Sequence, residues 1–107
     1  MILAFRTERL RSICENENLA IEAMGARPAM TLRERLADLR AAPTIKDLPL
    51  GRPHVSGEHS ELLTFELDAG FRMVWAANSP VKLRRTAEGT VDWDHTRPIK
   101  LLGFEGG

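Results

Sequence analysis

The sequence predicts an α+β domain, two N-terminal helices packed on a small antiparallel β-sheet. Three observations predict it. Residues 53–77 read as a polar approach followed by a β-hairpin with period-2 alternation. Residues 26–42 carry an apolar stripe at helical spacing, with charges elsewhere around the turn. The helical patterns precede the antiparallel strands, the order of an α+β two-layer domain.

Taken in order, residues 1–6 form a short strand of β-formers, Ile2, Leu3 and Phe5, closed by Arg6. Thr7 suits an N-cap and Glu8 puts a negative charge in the first turn, so Leu10, Ile13 and Cys14 begin a helix of about two turns. Asn16-Glu17-Asn18 is a break and a new cap, and Leu19, Ala20, Ala23 and Met24 restart the helical pattern. Gly25 and Pro28 interrupt it, with Pro28 suited to the first turn of a helix over 26–42. The pattern leaves residues 18–42 as one bent helix or two. Ala29, Leu32, Leu36 and Leu39 form the stripe of this segment, and Pro43 ends it.

Thr44 to Leu48 reads as a single capped turn, and Pro49, Gly51 and Pro53 as a loop. The first hairpin arm runs from Leu62 to Leu67, with Leu63, Phe65 and Leu67 on one face. The second runs from Phe71 to Ala77, with Phe71, Met73 and Trp75 inward. Asp68-Ala69-Gly70 joins the arms, since Asp tolerates turn geometry and Gly supplies positive φ. Asn78-Ser79-Pro80 is a turn, and residues 81–96 are irregular and polar. Ile99 to Phe104 is the last strand, and Gly106-Gly107 a frayed end. The N-terminal strand is expected to return to an edge of the sheet.

The 107 residues suffice for one domain, residues 1–107, with one modest core. No apolar run approaches the ~18 residues of a membrane span, and the N-terminus lacks a secretory signal pattern. The single cysteine, Cys14, cannot form an internal disulfide, so the cytoplasm is the expected compartment and Cys14 a small core residue. Zero formal net charge argues against a strongly basic nucleic-acid binder and leaves room for a local patch. Phosphate-loop, CxxC, HExxH and Ca²⁺-loop patterns are absent, and His54, His59 and His95 are not spaced as metal ligands.

Arg72 is a cation inside an otherwise apolar strand, on the face opposite Phe71 and Trp75. It has two readings: a side chain paired with Glu66 or Glu61 across the hairpin, or an anion site on the concave face of the sheet. His54 stands at the entrance to the same sheet. Arg84 and Arg85 cluster with Lys82 in the polar segment, as a solvated loop or as contacts to a polyanion. Trp93 reads as a lid on the core.

With these residues assembled, the chain resembles the RelE/ParE toxin superfamily, and most of all its HigB-like killer-protein branch. The resemblance runs over nearly the whole length. It rests on the Phe5-Arg6…Leu10 opening, the Leu32-to-Ala42 helix end and Thr44…Asp47-Leu48-Pro49. It continues through His54 ahead of Ser56-Gly57, Leu67-to-Trp75, and Glu88-to-Trp93 before the last strand. It implies a type II toxin that cuts mRNA in the ribosomal A site by acid–base chemistry, with neither metal nor cofactor. Arg72 would match the family's sheet arginine and clamp phosphate. His54 would match its histidine and serve as acid or base. Arg84 or Arg85 would touch rRNA or mRNA, and His59 would substitute for a missing group.

Active members commonly carry a lysine soon after that histidine and an acidic-Tyr-His tail. This chain has Val55-Ser56-Gly57-Glu58 and Leu102-to-Gly107 there, with no tyrosine anywhere. That departure suits the rival expectation of a non-catalytic toxin fold, either a ParE-like gyrase poison or a degenerate member that only binds its antitoxin. In every case the implied partner is a helix-turn-helix, HigA-like antitoxin, joined by the ribosome and mRNA if the protein is active. Open sheet edges invite strand addition by a partner or a second copy.

Overall fold

Two polar side chains, Thr7 and Asn16, set the starts of the first two helices. In the computed structural model, which describes residues 1–49, 53–78 and 84–106, the Thr7 hydroxyl accepts from the Leu10 N–H and starts α1, Glu8–Glu15. The Asn16 side chain accepts from the Leu19 N–H and starts α2, Glu17–Met24, while its own N–H bonds Ser12 O and closes α1. Gly25, at φ 91°, then separates α2 from α3, Ala26–Ala41. A positive φ is the conformation that glycine adopts without a Cβ penalty, so the break is a true one and residues 18–42 form two helices. Pro28 lies in the first turn of α3, where a missing N–H costs nothing.

Five strands form one sheet: β1 Ile2–Phe5, β2 His54–Ser56, β3 Leu62–Glu66, β4 Phe71–Ala77 and β5 Pro98–Gly106. Their spatial order is β1-β5-β4-β3-β2. The hairpin pairs β3 with β4 from Leu62↔Ala76 to Glu66↔Arg72, as its alternation predicts. Its connection, Asp68–Gly70, uses a left-handed φ at Ala69 (59°) as well as at Gly70.

Four features correct the expected fold. Among the described residues there are three helices before the hairpin, not two. The sheet is mixed, because β1 takes the expected edge position but pairs parallel to β5, Ile2↔Pro98 through Phe5↔Leu101. Alternation is the same in parallel and antiparallel ladders, so it cannot predict the direction of a pair distant in sequence. The last strand also runs on to Gly106, which pairs with Phe71. Residues 84–96 are less irregular than expected, with an Arg85↔Val91 bridge and a 3-10 turn at Trp93–His95. The expectations for Gly51, Ser79, Pro80, Lys82 and Gly107 lie outside the described residues.

The core lies between α3 and one sheet face. Leu32, Leu36 and Leu39 meet Leu63, Met73, Trp75, Ile99 and Leu101, all almost wholly buried. Each such side chain contributes about 1.5–3 kcal/mol of burial. Ile13, Ala20 and Met24 extend this layer from α1 and α2. The N-terminal ammonium donates to Leu39 O (2.9 Å) and Ala42 O, supplying donors and positive charge at the C-terminus of α3. The helices thus cover one sheet face and leave the other as the place to look for function.

Candidate functional site

Register and alternation define the face turned away from the helices. Since Leu63, Phe65, Met73, Trp75, Ile99 and Leu101 point to the core, their strand neighbours point the other way. Three cross-strand rows result. One is Ser56–Leu62–Ala76–Lys100–Ala4, the next His54–Thr64–Val74–Gly103, and the third Glu66–Arg72–Glu105.

His54 and Arg72 therefore share this face. They stand two strands and one pleat repeat apart, roughly 12 Å between backbones. Thr64 and Val74 lie between them in the register. His54 is exposed on the edge strand, and its imidazole forms no hydrogen bond or ion pair with a described residue. A ligand spanning several ångströms could touch both side chains.

Arg72 is not a free cation. Its guanidinium lies 3.8 Å from the Glu105 carboxylate on β5, and Glu66 stands opposite it on β3. Two carboxylates flank one guanidinium, so this row carries a net negative charge.

Glu61, one of the expected partners of Arg72, turns into its own loop instead. Its carboxylate accepts from the His59 N–H at 2.7 Å, and backbone hydrogen bonds, that one foremost, hold its carboxyl below the usual glutamate value. Gly57, at φ 94°, makes this packing feasible, since a Cβ there would lie 2.6 Å from the Glu61 carboxylate carbon.

His59, Arg84 and Arg85 gather away from Arg72, where loop 57–61 meets loop 84–96. His59 O accepts from Val91 N at 3.0 Å, and Arg84 O from Asp92 N at 2.9 Å. The Arg85 guanidinium donates to Gly89 O at 2.8 Å and so closes its own turn. Buried Trp93 donates its indole N–H to Ser60 O at 2.6 Å, which fastens the two loops together. Trp93 is thus a lid on the core. Loop 57–61 joins β2 to β3 at the end of the sheet opposite the Asp68–Gly70 turn beside Arg72. The site residues read from the sequence thus fall into two groups: His54 with Arg72 on the sheet face, and His59 with Arg84 and Arg85 on the loop platform.

Set against protein-family models, curated proteins and solved structures, the chain matches none of them. Geometry and chemistry therefore carry the functional reading. Among the described residues, no three His, Cys, Asp or Glu side chains gather as metal ligands. No helix among them is long and apolar enough to cross a membrane.

Lys100 and Gly103 are members of this face that the sequence did not single out. The only signal for Lys100 was its position between inward-facing Ile99 and Leu101. Its neighbours became visible only once β5 was paired on both sides. Gly103 sits beside the bulge where the β4–β5 register shifts between Val74 and Trp75.

Proposed function

We propose that this protein is the toxin of a type II toxin–antitoxin module, of the RelE/HigB-like kind, acting in the cytoplasm to stop translation by ribosome-dependent mRNA cleavage. The observation that carries this reading is the shared, helix-free sheet face of His54 and Arg72. The chain-long resemblance and the edge position of the N-terminal strand lend it support.

In this reading, the exposed imidazole of His54 takes the 2′-OH proton or returns a proton to the leaving 5′-oxygen. Arg72 steadies the charge that develops on the phosphate, for which a planar guanidinium is well shaped. Neither step calls for a metal or cofactor. His59, Arg84 and Arg85 extend the contact to rRNA or mRNA from the loop platform. A helix-turn-helix antitoxin would neutralise the protein by covering the helices or the open sheet face.

One observation favours a second reading. The row Glu66–Arg72–Glu105 compensates the charge that a phosphate clamp needs. A non-catalytic toxin, ParE-like or retaining only antitoxin binding, would tolerate this arrangement.

Induced expression of the wild type beside Arg72→Ala and His54→Ala, with mRNA ends mapped in the same cultures, separates the two. The nuclease reading expects growth arrest with new mRNA ends, both lost in either variant. Arrest without new ends, unchanged in His54→Ala, selects the binding toxin. Absence of arrest leaves antitoxin binding alone.

A further inference from the structure

The charge on the open sheet face is uneven. Arg72 has Glu66 and Glu105 as cross-strand neighbours. Lys100, two rows away, has Ala76 and Ala4, which are small and uncharged. Lys100 is half-buried and forms no ion pair with a described residue. Arg6, exposed, continues the outward alternation of Ile2 and Ala4 on β1, its N–H bonded to Leu101 O. Arg6 has no carboxylate partner among the described residues. The uncompensated positive charge of this face thus gathers at the β1–β5 edge.

Between that edge and the compensated Arg72 row runs the uncharged strip Thr64–Val74–Gly103, ending at His54. Gly103 has no conformational reason to be glycine. Its φ is not left-handed, and a Cβ built on it would meet no atom within 4 Å. A bare backbone within a strand, facing open space, suits the close approach of a ligand. The Thr64 hydroxyl can both donate and accept towards a ribose or base.

We infer that Lys100 is the principal phosphate contact of this face, and that a single RNA strand runs from the β1–β5 edge over Gly103, Val74 and Thr64 towards His54. This rests on the RNA-cleaving reading and deepens it by dividing the work. Lys100 supplies affinity, and Arg72, already paired with Glu105, acts at the cleaved phosphate. A repeating polyanion suits such a face, because each cation contacts a phosphate without regard to base.

The test is fluorescence anisotropy of a labelled single-stranded RNA oligonucleotide over a range of salt concentrations, with thermal unfolding of each variant as a control for folding. Lys100→Ala is expected to weaken binding about tenfold. It should also lower the slope of log K against log salt by roughly 0.7, the value for one phosphate contact on a single strand. Lys100→Arg should restore both. Gly103→Leu should block binding at unchanged thermal stability, and Arg72→Ala should change affinity less than Lys100→Ala does. If Lys100→Ala binds like the wild type while Arg72→Ala does not, the assignment to Lys100 is wrong and RNA binding stands. If the wild type shows no salt-dependent RNA affinity, this inference falls, while the RNA-cleaving reading is still decided by the mapped mRNA ends.

Discussion

The Arg72 guanidinium lies 3.8 Å from the Glu105 carboxylate, at the register position where β4 and β5 pair. Both side chains are well exposed, so the pair contributes little to stability, typically under about 1 kcal/mol. Its effect falls on what Arg72 can bind. Glu105→Gln is expected to leave the thermal midpoint nearly unchanged and to raise affinity for single-stranded RNA a few fold. Anisotropy titration and calorimetry check the two halves, and unchanged RNA affinity would count against Arg72 as a phosphate contact.

Trp93 joins two loops to the core through one ring and one hydrogen bond. Trp93→Ala should cost about 3–5 kcal/mol, enough to unfold a domain of this size in part. Trp93→Phe keeps most of the ring and loses the bond to Ser60 O, at a cost of roughly 1–2 kcal/mol. Denaturant midpoints read both values, and a Trp93→Phe variant as stable as the wild type would deny the hydrogen bond a separate part.

Cys14 lies half-buried among the helices. Burial is the main force pushing its thiol up to about 12, with Arg40 opposing and Glu15 adding slightly. At pH 8 the folded protein should therefore react with iodoacetamide far more slowly than a free cysteine, whose pKa is about 8.5. The sign for stability follows. The folded state disfavours the thiolate, so this contribution is intact below the unfolded value and is lost as pH rises from about 9 towards 12. Labelling at pH 8 that is as fast when folded as in urea would contradict the burial.

Glu61 behaves in the opposite sense. Hydrogen bonds from the backbone, led by His59 N–H, favour its charged form and lower its pKa. Its contribution is present above the ordinary glutamate value and is lost as pH falls through the lower folded value. Glu61→Gln should flatten the stability profile on the acid side and loosen loop 57–61. Melting curves from pH 3 to 7 test the first effect, and hydrogen exchange at His59 N–H the second. Identical acid profiles for variant and wild type would sink the idea.

Local signals made most of the elements readable. Thr7 and Asn16 are side chains that start helices wherever they precede one. The alternation of Leu63, Phe65, Met73 and Trp75 and the turn at Asp68–Gly70 specify a hairpin and its inward face without reference to distant residues. The stripe from Ala29 to Leu39 identified the helix that covers the sheet. Arg72 and His54 stood out because a charge on a strand and a histidine at its approach are chemically conspicuous in one dimension.

Tertiary structure alone decided what those residues stand beside. The parallel pairing of β1 with β5 joins residues nearly a hundred positions apart, and no local preference encodes its direction. That pairing leaves Lys100 between two alanines, while the β4–β5 register sets Glu105 against Arg72. Glu61, expected to pair with Arg72, instead anchors its own loop through a local bond from His59 N–H. Residue type and spacing determined which groups this protein can use. Strand register, set by the packing of the inward face as a whole, determined which charges are compensated and which are left for a ligand.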